Sequence, residues 1–479
     1  MAGSLVIATQ VPPAPTPRPV LLNSNPYLDR IARPFARVMR MVSGGSDPGS
    51  LSGRAAQSGA WIGGGFVIQR VLQLGSNLIL TRLLFPEAFG LMALATIFLV
   101  GLQMFSDLGI KPAIIRDPRG NDPAFLNTAW TIQVIRGFAL CVVGCLLAYP
   151  ISLIYKQPIL FPLLTVLSTT AAIAGFTSVK MSTAERDLDF RTVTFIQLAG
   201  QLATIITMVV LAYTWRSVWA LAVGNIVGSL ATAVLGFWLL QGHTHKFRLE
   251  PAAAKSLVHF GKWIFLSTIV TFIGGEGLKA IQGGLITPAE FGILAIAYTI
   301  AAIPIELSMK LTTSIGLPAL SEIHRSDPQK LRGVLSGFRK RIFILTFFLV
   351  SVVVLTSETV IRFLYDQRYH EAGQFVVAIT LGNAVAITSS GYNSGLLALG
   401  KSKTYLILIV LTAISRIIGI VSGFMIYDML GMFVGIGIAN VAVLIASWSM
   451  IQPYKMRDIK LDVSILAMIS FLTLAVIAL

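Results

Sequence analysis

Arg70, Gln73 and Asn77 lie in an otherwise apolar run. With Phe66 and Thr81 they recur at spacings of three and four, which places all five on one face of a helix. Lys279, with Glu276 one turn before it, gives a second apolar run a polar face of its own. Glu306 and Lys310 follow at i, i+4, while Arg136 and Arg416 stand near the middles of two further runs. A charge at the centre of a bilayer costs roughly 3 kcal/mol, so it is normally turned toward a partner or an aqueous cavity. Arginine grips phosphate through two parallel hydrogen bonds, and amides suit sugar hydroxyls. Arg70, Gln73, Asn77, Arg136, Glu276, Lys279, Glu306, Lys310 and Arg416 are therefore the candidate binding residues, and their chemistry suits an anionic, polyhydroxylated ligand. Their alternative role is packing. The spacing of Glu306 and Lys310 lets them pair along one helix, whereas Arg70, Arg136 and Arg416 have no acidic residue one turn away.

No residues are expected in a catalytic, metal or cofactor role. The chain has no phosphate-binding Gly-x-x-x-x-Gly-Lys-Ser/Thr loop, and its longest connections hold basic residues without an acid/base constellation. His243 and His245 lack a neighbouring cysteine or carboxylate cluster and read as solvated loop histidines. Cys141 and Cys145, one turn apart in an apolar run, read as small packing residues.

The elements that must position these residues are membrane helices. Hydrophobic residues make up 55% of the 479, charged residues 12%, and the mean hydropathy is +0.78. A soluble domain carries about twice that charge fraction, and runs of about 20 apolar residues are the length a bilayer demands. The net charge of +16 belongs to membrane topology here and does not indicate nucleic acid.

The chain states one stretch twice. Gly59–Ile97 recurs, without a gap and 202 residues on, as Gly261–Thr299, with 11 of 39 positions identical, among them Trp61/Trp263, Pro86/Pro288, Phe89/Phe291 and Gly90/Gly292. Both copies read helix, Pro-x-x-Phe-Gly turn, helix. A duplicated hairpin at this separation marks a two-lobe transporter.

Twelve spans are expected near 58–84, 86–106, 126–150, 159–179, 192–213, 218–240, 263–285, 290–317, 342–364, 374–398, 405–427 and 432–452. The implied organisation is a Pro-rich basic tail over 1–55, an N-lobe over 58–240, an inter-lobe linker over 241–262, a C-lobe over 263–452 and a C-terminal hydrophobic helix over 453–479. The tail holds six prolines between Pro12 and Pro26, then Arg30, Arg33, Arg37 and Arg40 at helical spacing. It reads as disordered and ending in an amphipathic segment on an anionic membrane surface. Of the 37 Lys and Arg, 27 fall in the connections on one side of the membrane and 4 on the other. That asymmetry makes the tail and the linker cytoplasmic. Six spans per half is an even number, so the lobes are parallel repeats. The expected fold is an all-α polytopic membrane protein whose two six-helix lobes form a V-shaped central cavity.

Several stretches carry a family pattern. They are Leu80-Thr81-Arg82-Leu83-Leu84-Phe85-Pro86-Glu87-Ala88-Phe89-Gly90, Asp107-Leu108-Gly109, Asn127-Thr128-Ala129, Glu185-Arg186-Asp187-Leu188-Asp189-Phe190-Arg191, Phe363-Leu364-Tyr365-Asp366-Gln367-Arg368-Tyr369 with Glu371-Ala372, and Leu397-Ala398-Leu399-Gly400-Lys401. In order and spacing, over about 58–452, the chain resembles the polysaccharide-transporter branch of the MOP flippase superfamily, the Wzx-type exporters. It departs from longer members in carrying one apolar run after the twelfth span where they have two, and in its tail.

The resemblance implies a flippase, not an enzyme, that moves a polyprenyl-diphosphate-linked oligosaccharide of exopolysaccharide or lipopolysaccharide synthesis across the bacterial inner membrane. Alternating access would be driven by an ion gradient or the membrane potential. The implied partners are the lipid-linked oligosaccharide and membrane lipids, with polymerase or glycosyltransferase machinery left open. The alternative on the same fold is a MATE-like multidrug or cation antiporter. That function calls for unpaired intramembrane carboxylates, and Glu276 and Glu306 stand against six intramembrane cations.

Overall fold

The duplicated Pro-x-x-Phe-Gly stretch sets the frame of the molecule. In the computed structural model Phe85 and Thr287 are both extended (φ −79°, ψ 155° and φ −71°, ψ 157°), and the proline after each opens a helix. Proline is suited to the first helical position because its fixed φ is helical and its missing N–H would have no partner there. In the second copy a capping box, with Thr287 and Glu290 satisfying each other's backbone N–H groups, reinforces the start.

The structure describes residues 51–478 apart from 107–108, 188, 243–244, 313–319, 321–322, 324–330 and 455. The chain divides into two units, Met1–Trp61 and Ile62–Leu479. Of the first, residues 51–61 are described and are helical, so the expected tail gives way to helix at Leu51. Its Pro-rich and Arg-rich parts lie outside the described residues.

The helices are α1 (Leu51–Leu83), α2 (Pro86–Phe105), α3 (Ile110–Arg116), α4 (Pro123–Ile154), α5 (Leu160–Gly175), α6 (Lys180–Arg186), α7 (Phe190–Trp215), α8 (Val218–Leu239), α9 (Pro251–Gly274), α10 (Glu276–Leu285), α11 (Pro288–Leu311), α12 (Leu331–Leu364), α13 (Ala372–Ala398), α14 (Ser402–Ile451) and α15 (Ile459–Ala478). Among the described residues eight helices are long and apolar enough to cross a membrane, or nine if α5 and α6, bent by 57°, form one span. Large apolar side chains such as Leu146, Phe348, Phe363 and Met425 are exposed along them. These are the side chains a lipid-facing helix presents.

The expected eleventh and twelfth spans are the two arms of α14, which folds back on itself where Tyr427 and Asp428 leave helical geometry. Gly419 packs on Gly435 and Gly423 on Gly431 across that hairpin, closely enough that a Cβ on Gly423 would lie 2.0 Å from the Gly431 carbonyl oxygen. The seventh span is broken at Gly275 (φ −122°, ψ −92°) into α9 and α10. The expected linker is non-helical only to Glu250, since Pro251 opens α9, and the eighth span's expected end at 313–317 lies outside the described residues.

Packing explains the V. One apolar core joins the halves: Leu80, Leu84, Leu91 and Leu94 of the first meet Phe291, Leu294, Tyr369 and Phe433 of the second. The duplicated turns meet within it. A Cβ on Gly90 would lie 1.8 Å from the Pro288 carbonyl oxygen, and one on Gly292 would lie 1.9 Å from that of Pro86. These contacts exchange under the 202-residue repeat, so the pseudo-two-fold axis passes between the two glycines. Toward the opposite end the cores separate. One gathers Ile114, Phe125, Trp130 and Val179 with Leu257, the other Leu335, Phe343, Tyr392, Leu444 and Ile465. The halves thus share one core at one end and have separate cores at the other, where the start of α9 packs against the first half.

α15 is the expected C-terminal helix, and its attachment is polar. Asp462 is fully buried, forms an ion pair with buried Arg339 of α12, and accepts hydrogen bonds from Tyr392 (2.7 Å) and Trp448 (2.8 Å). The Arg339 guanidinium also stacks 3.6 Å from the Tyr392 ring centroid.

Candidate functional site

Between the halves lies a cavity of about 720 Å³. The polar face read from α1 lines it, since Phe66, Arg70, Gln73 and Asn77 all face it. Gln201 and Thr204 of α7, Glu276 and Lys279 of α10, and Tyr298 and Glu306 of α11 also line it. Six of the nine candidate residues therefore meet here. α1 is held in orientation partly by Gln201, whose amide donates to the Gln69 carbonyl at 3.0 Å.

Each lumen cation is matched by a carboxylate. Arg70 forms an ion pair with Glu306, donates to Gln73 Oε1 at 2.8 Å, and lies 5.3 Å from the Phe66 ring centroid. Lys279 Nζ donates to Glu276 Oε1 at 2.8 Å and sits 5.5 Å from the Tyr298 ring centroid. Glu306, the acidic member of the expected Glu306–Lys310 pair, is bound by Arg70 from the other half. The Lys310 side chain lies outside the described ones. Sequence spacing sees partners along one helix, and this partner comes from 236 residues away.

Arg136 and Arg416 are not in the lining. Arg136 donates to Ser106 Oγ (2.9 Å) and to the Gln103 carbonyl (2.7 Å), tying α4 to the end of α2. Arg416 donates to Asn440 Oδ1 at 2.8 Å, and Asn440 in turn donates to the Gly382 carbonyl at 2.8 Å.

Tyr298 and Thr204 are among the lining residues that escaped the sequence reading. Tyr298 lines the cavity, and its hydroxyl donates to Gln282 Oε1 at 2.6 Å within the wall. The repeat held the signal, because Gln282 stands where the first copy has Leu80 and Tyr298 where it has Thr96. His245 also differs from expectation. It bonds Ser178 Oγ at 3.2 Å and packs against Trp130 and Phe237, with ring centroids 5.1 Å and 5.0 Å away, so it is a packing residue of its loop.

The joined end closes the cavity through two hydroxyls. Tyr155, just after α4, donates to the Ala280 carbonyl of α10 at 2.9 Å. Tyr369, before α13, donates to the Leu84 carbonyl after α1 at 3.1 Å. Each half thus reaches from the connection after its third span to the end of the other half's first span. Asp366 and Arg368 hold the second of these loops. Arg368 donates to Asp366 at 2.7 Å and to the Thr81 carbonyl at 3.3 Å, and it stacks 4.8 Å from the Phe85 ring centroid. That hydrogen bond from Arg368 holds the Asp366 carboxyl below the usual carboxylate range. At the far end Glu185 and Arg186 do similar work, pairing with Lys111 at 2.7 Å and capping the Ile114 carbonyl at 2.6 Å.

A two-fold-repeated helical body with a cavity between its halves is the architecture of MOP-superfamily transporters, and the solved structures agree. A MATE-family multidrug resistance transporter of the MOP superfamily, inward-facing, superimposes with a TM-score of 0.66 at 16% identity over 81% of this chain and 94% of its own. The lipid II flippase MurJ, inward closed, superimposes with a TM-score of 0.65 at 16% identity over 86% and 91%.

Residues 79–374 match the family model described as polysaccharide biosynthesis protein, and the chain belongs to that family. It is similar to the lipopolysaccharide biosynthesis protein WzxC of Escherichia coli K12, 23% identical over 59% of this chain and 57% of that protein. It is also similar to the teichuronic acid biosynthesis protein TuaB of Bacillus subtilis 168, 18% identical over 63% and 62%. The matches thus span about 57–62% of the length of these curated relatives.

Proposed function

We propose that the chain is a flippase that carries a polyprenyl-diphosphate-linked oligosaccharide, a repeat unit of exopolysaccharide or lipopolysaccharide, across the bacterial inner membrane by alternating access. The observation that carries the reading is the cavity between the halves, with Arg70 and Lys279 set among amides and aromatic rings. The cations match a diphosphate, the amides and Tyr298 match sugars, and the polyprenyl chain stays in lipid. The names of the relatives, in lipopolysaccharide and teichuronic acid biosynthesis, support the same substrate class.

The N-lobe, 58–240, and C-lobe, 263–452, would rock about the glycine crossing. The basic connections would face the cytoplasm, which makes the end joined by Tyr155 and Tyr369 periplasmic and the separated end the entry for substrate. No chemical bond is made or broken in this scheme. The driving force would be an ion gradient or the membrane potential.

A cation antiporter has one observation in its favour, the two carboxylates in the lumen. Both are already engaged by Arg70 and Lys279, so neither is a vacant cation site. The test compares inner-membrane vesicles of a deletion strain. Lipid-linked oligosaccharide should accumulate on the cytoplasmic leaflet, and the wild-type gene but not Arg70→Ala should clear it. An unchanged leaflet distribution would move the assignment to the antiporter.

A further inference from the structure

The Arg70–Glu306 pair is made between the halves, from α1 to α11. Among the described residues no other ion pair joins a residue before 240 to one after 263. Its lumen neighbour is built differently, because Lys279 and Glu276 are three residues apart on the one short helix α10. Exchanging the partner of Lys279 leaves the relation of the halves untouched. Exchanging the partner of Arg70 removes a bridge between them.

Both members of the bridge border the cavity and are only partly covered, with side-chain exposures of 26% for Arg70 and 36% for Glu306. A ligand can therefore reach the guanidinium. It must first displace a carboxylate held beside it by the fold, a competitor present at an effective concentration on the order of millimolar or above. A neutral sugar has nothing to offer the guanidinium in exchange. A carboxylate ligand swaps like for like. A phosphate or diphosphate brings greater charge and enough oxygens for two parallel hydrogen bonds, and it can also draw on Lys279 across the same lumen. Displaced Glu306 then faces Glu276, whose own counter-ion Lys279 is shared with the ligand, and the closed arrangement of the lumen loses its charge balance.

We propose that Glu306 is a built-in counter-ion occupying the phosphate position at Arg70. Loading a phosphate or diphosphate ester evicts it and thereby unfastens the lumen bridge between the halves. Glu306 is then a specificity-determining residue, since it sets a threshold that only strongly anionic headgroups cross and couples crossing it to movement of the halves. The inference rests on the flippase reading given above.

The test uses the full chain in lipid nanodiscs with farnesyl diphosphate as the probe. Calorimetric titration should show Glu306→Gln binding about tenfold more tightly than wild type. Arg70→Ala should abolish binding, and Arg70→Ala/Glu306→Gln should match Arg70→Ala, because the carboxylate acts only through Arg70. Spin labels at Asn121 and Lys401, exposed loop positions on opposite halves, should report a farnesyl-diphosphate-induced change of distance in wild type. In Glu306→Gln that change should already be present without ligand. Glu306→Asp, which keeps the charge on a shorter arm, gives an intermediate affinity and serves if the Gln variant fails to insert. If wild type binds farnesyl diphosphate and Glu306→Gln binds no tighter, with an unshifted distance, the counter-ion role is wrong and the flippase reading survives. If wild type does not bind the probe at all, both are overturned.

Discussion

Removing the hydroxyls of Tyr155 and Tyr369 should open the joined end of the cavity. Each donates to a backbone carbonyl of the opposite half, at 2.9 Å and 3.1 Å, and Tyr369 is fully buried. A hydrogen bond between uncharged groups contributes about 1 kcal/mol net. Phenylalanine keeps the ring, so the edge-on contact of Tyr369 with Phe89, at 5.8 Å between centroids, survives and the loss is confined to the hydroxyl. The hydrogen bonds lie in different loops and share no partner, so their losses should add. Tyr155→Phe/Tyr369→Phe then costs the closed end about 2 kcal/mol, which raises the ratio of open to closed forms about 30-fold, with each single variant giving about fivefold. The assay places a cysteine at Asn77, inside the cavity, in a background with Cys141 and Cys145 replaced by serine. Spheroplasts are then treated with a membrane-impermeant maleimide. Labelling should rise in each single variant and multiply in the double. Unchanged labelling of a normally inserted double variant would refute the latch, and the closure would then rest on apolar packing alone.

Gly90→Ala should be more disruptive than its size suggests, because the new Cβ would fall 1.8 Å from the Pro288 carbonyl oxygen, against backbone that cannot swing aside. Overpacking of this kind costs about 1–3 kcal/mol, and the same maleimide assay should show the joined end loosened, with Gly292→Ala giving a matching effect. Asp462→Asn should free the C-terminal helix. It leaves buried Arg339 facing a neutral amide, and breaking a buried pair costs about 3–5 kcal/mol. Limited proteolysis should then release 459–478 from a chain that otherwise stays inserted. A reporter fused after Lys401 should be cytoplasmic, and a periplasmic signal there would reverse the proposed orientation.

Much of the frame was legible in the sequence because membrane helices are written locally. Apolar length, Pro86 and Pro288 at helix starts, and the repeat itself need no knowledge of distant contacts. The face carrying Arg70, Gln73 and Asn77 was legible for the same reason, since helical spacing fixes which side chains share a face. What escaped depends on pairing across the molecule. Glu306 reads as a partner of Lys310 when only one helix is in view, and its bond to Arg70 comes from 236 residues away. Arg136 and Arg416 look alike in sequence to Arg70, yet their partners Ser106 and Asn440 lie on neighbouring helices of their own half and draw them away from the lumen. The break at Gly275 was visible only as a glycine cluster, which also fits close packing. Its consequence, a short α10 carrying both Glu276 and Lys279, depends on backbone angles that composition does not set.

The repeat explains how a symmetric frame carries an asymmetric site. Where the copies touch one another they agree, with Pro86/Pro288 and Gly90/Gly292 forming the reciprocal crossing. Among the residues that face the cavity Phe89/Phe291 and Ala93/Ala295 are shared, but the polar ones differ. Arg70 aligns with Phe272, Leu74 with Glu276, Asn77 with Lys279, Leu80 with Gln282 and Thr96 with Tyr298. A contact made across a two-fold axis constrains both copies at once, because each residue packs against the equivalent turn of the other. A residue pointing into the lumen meets the ligand, and the proposed lipid-linked oligosaccharide has no two-fold symmetry to impose. One copy could therefore supply a guanidinium and amides while the other supplied an ammonium, a carboxylate and an aromatic wall. Exchanging the lumen residues between copies, Asn77→Lys with Lys279→Asn, accordingly tests position against composition. The net charge of the cavity is unchanged, Glu276 loses its partner three residues away, and transport should fall although the frame and its crossing remain intact.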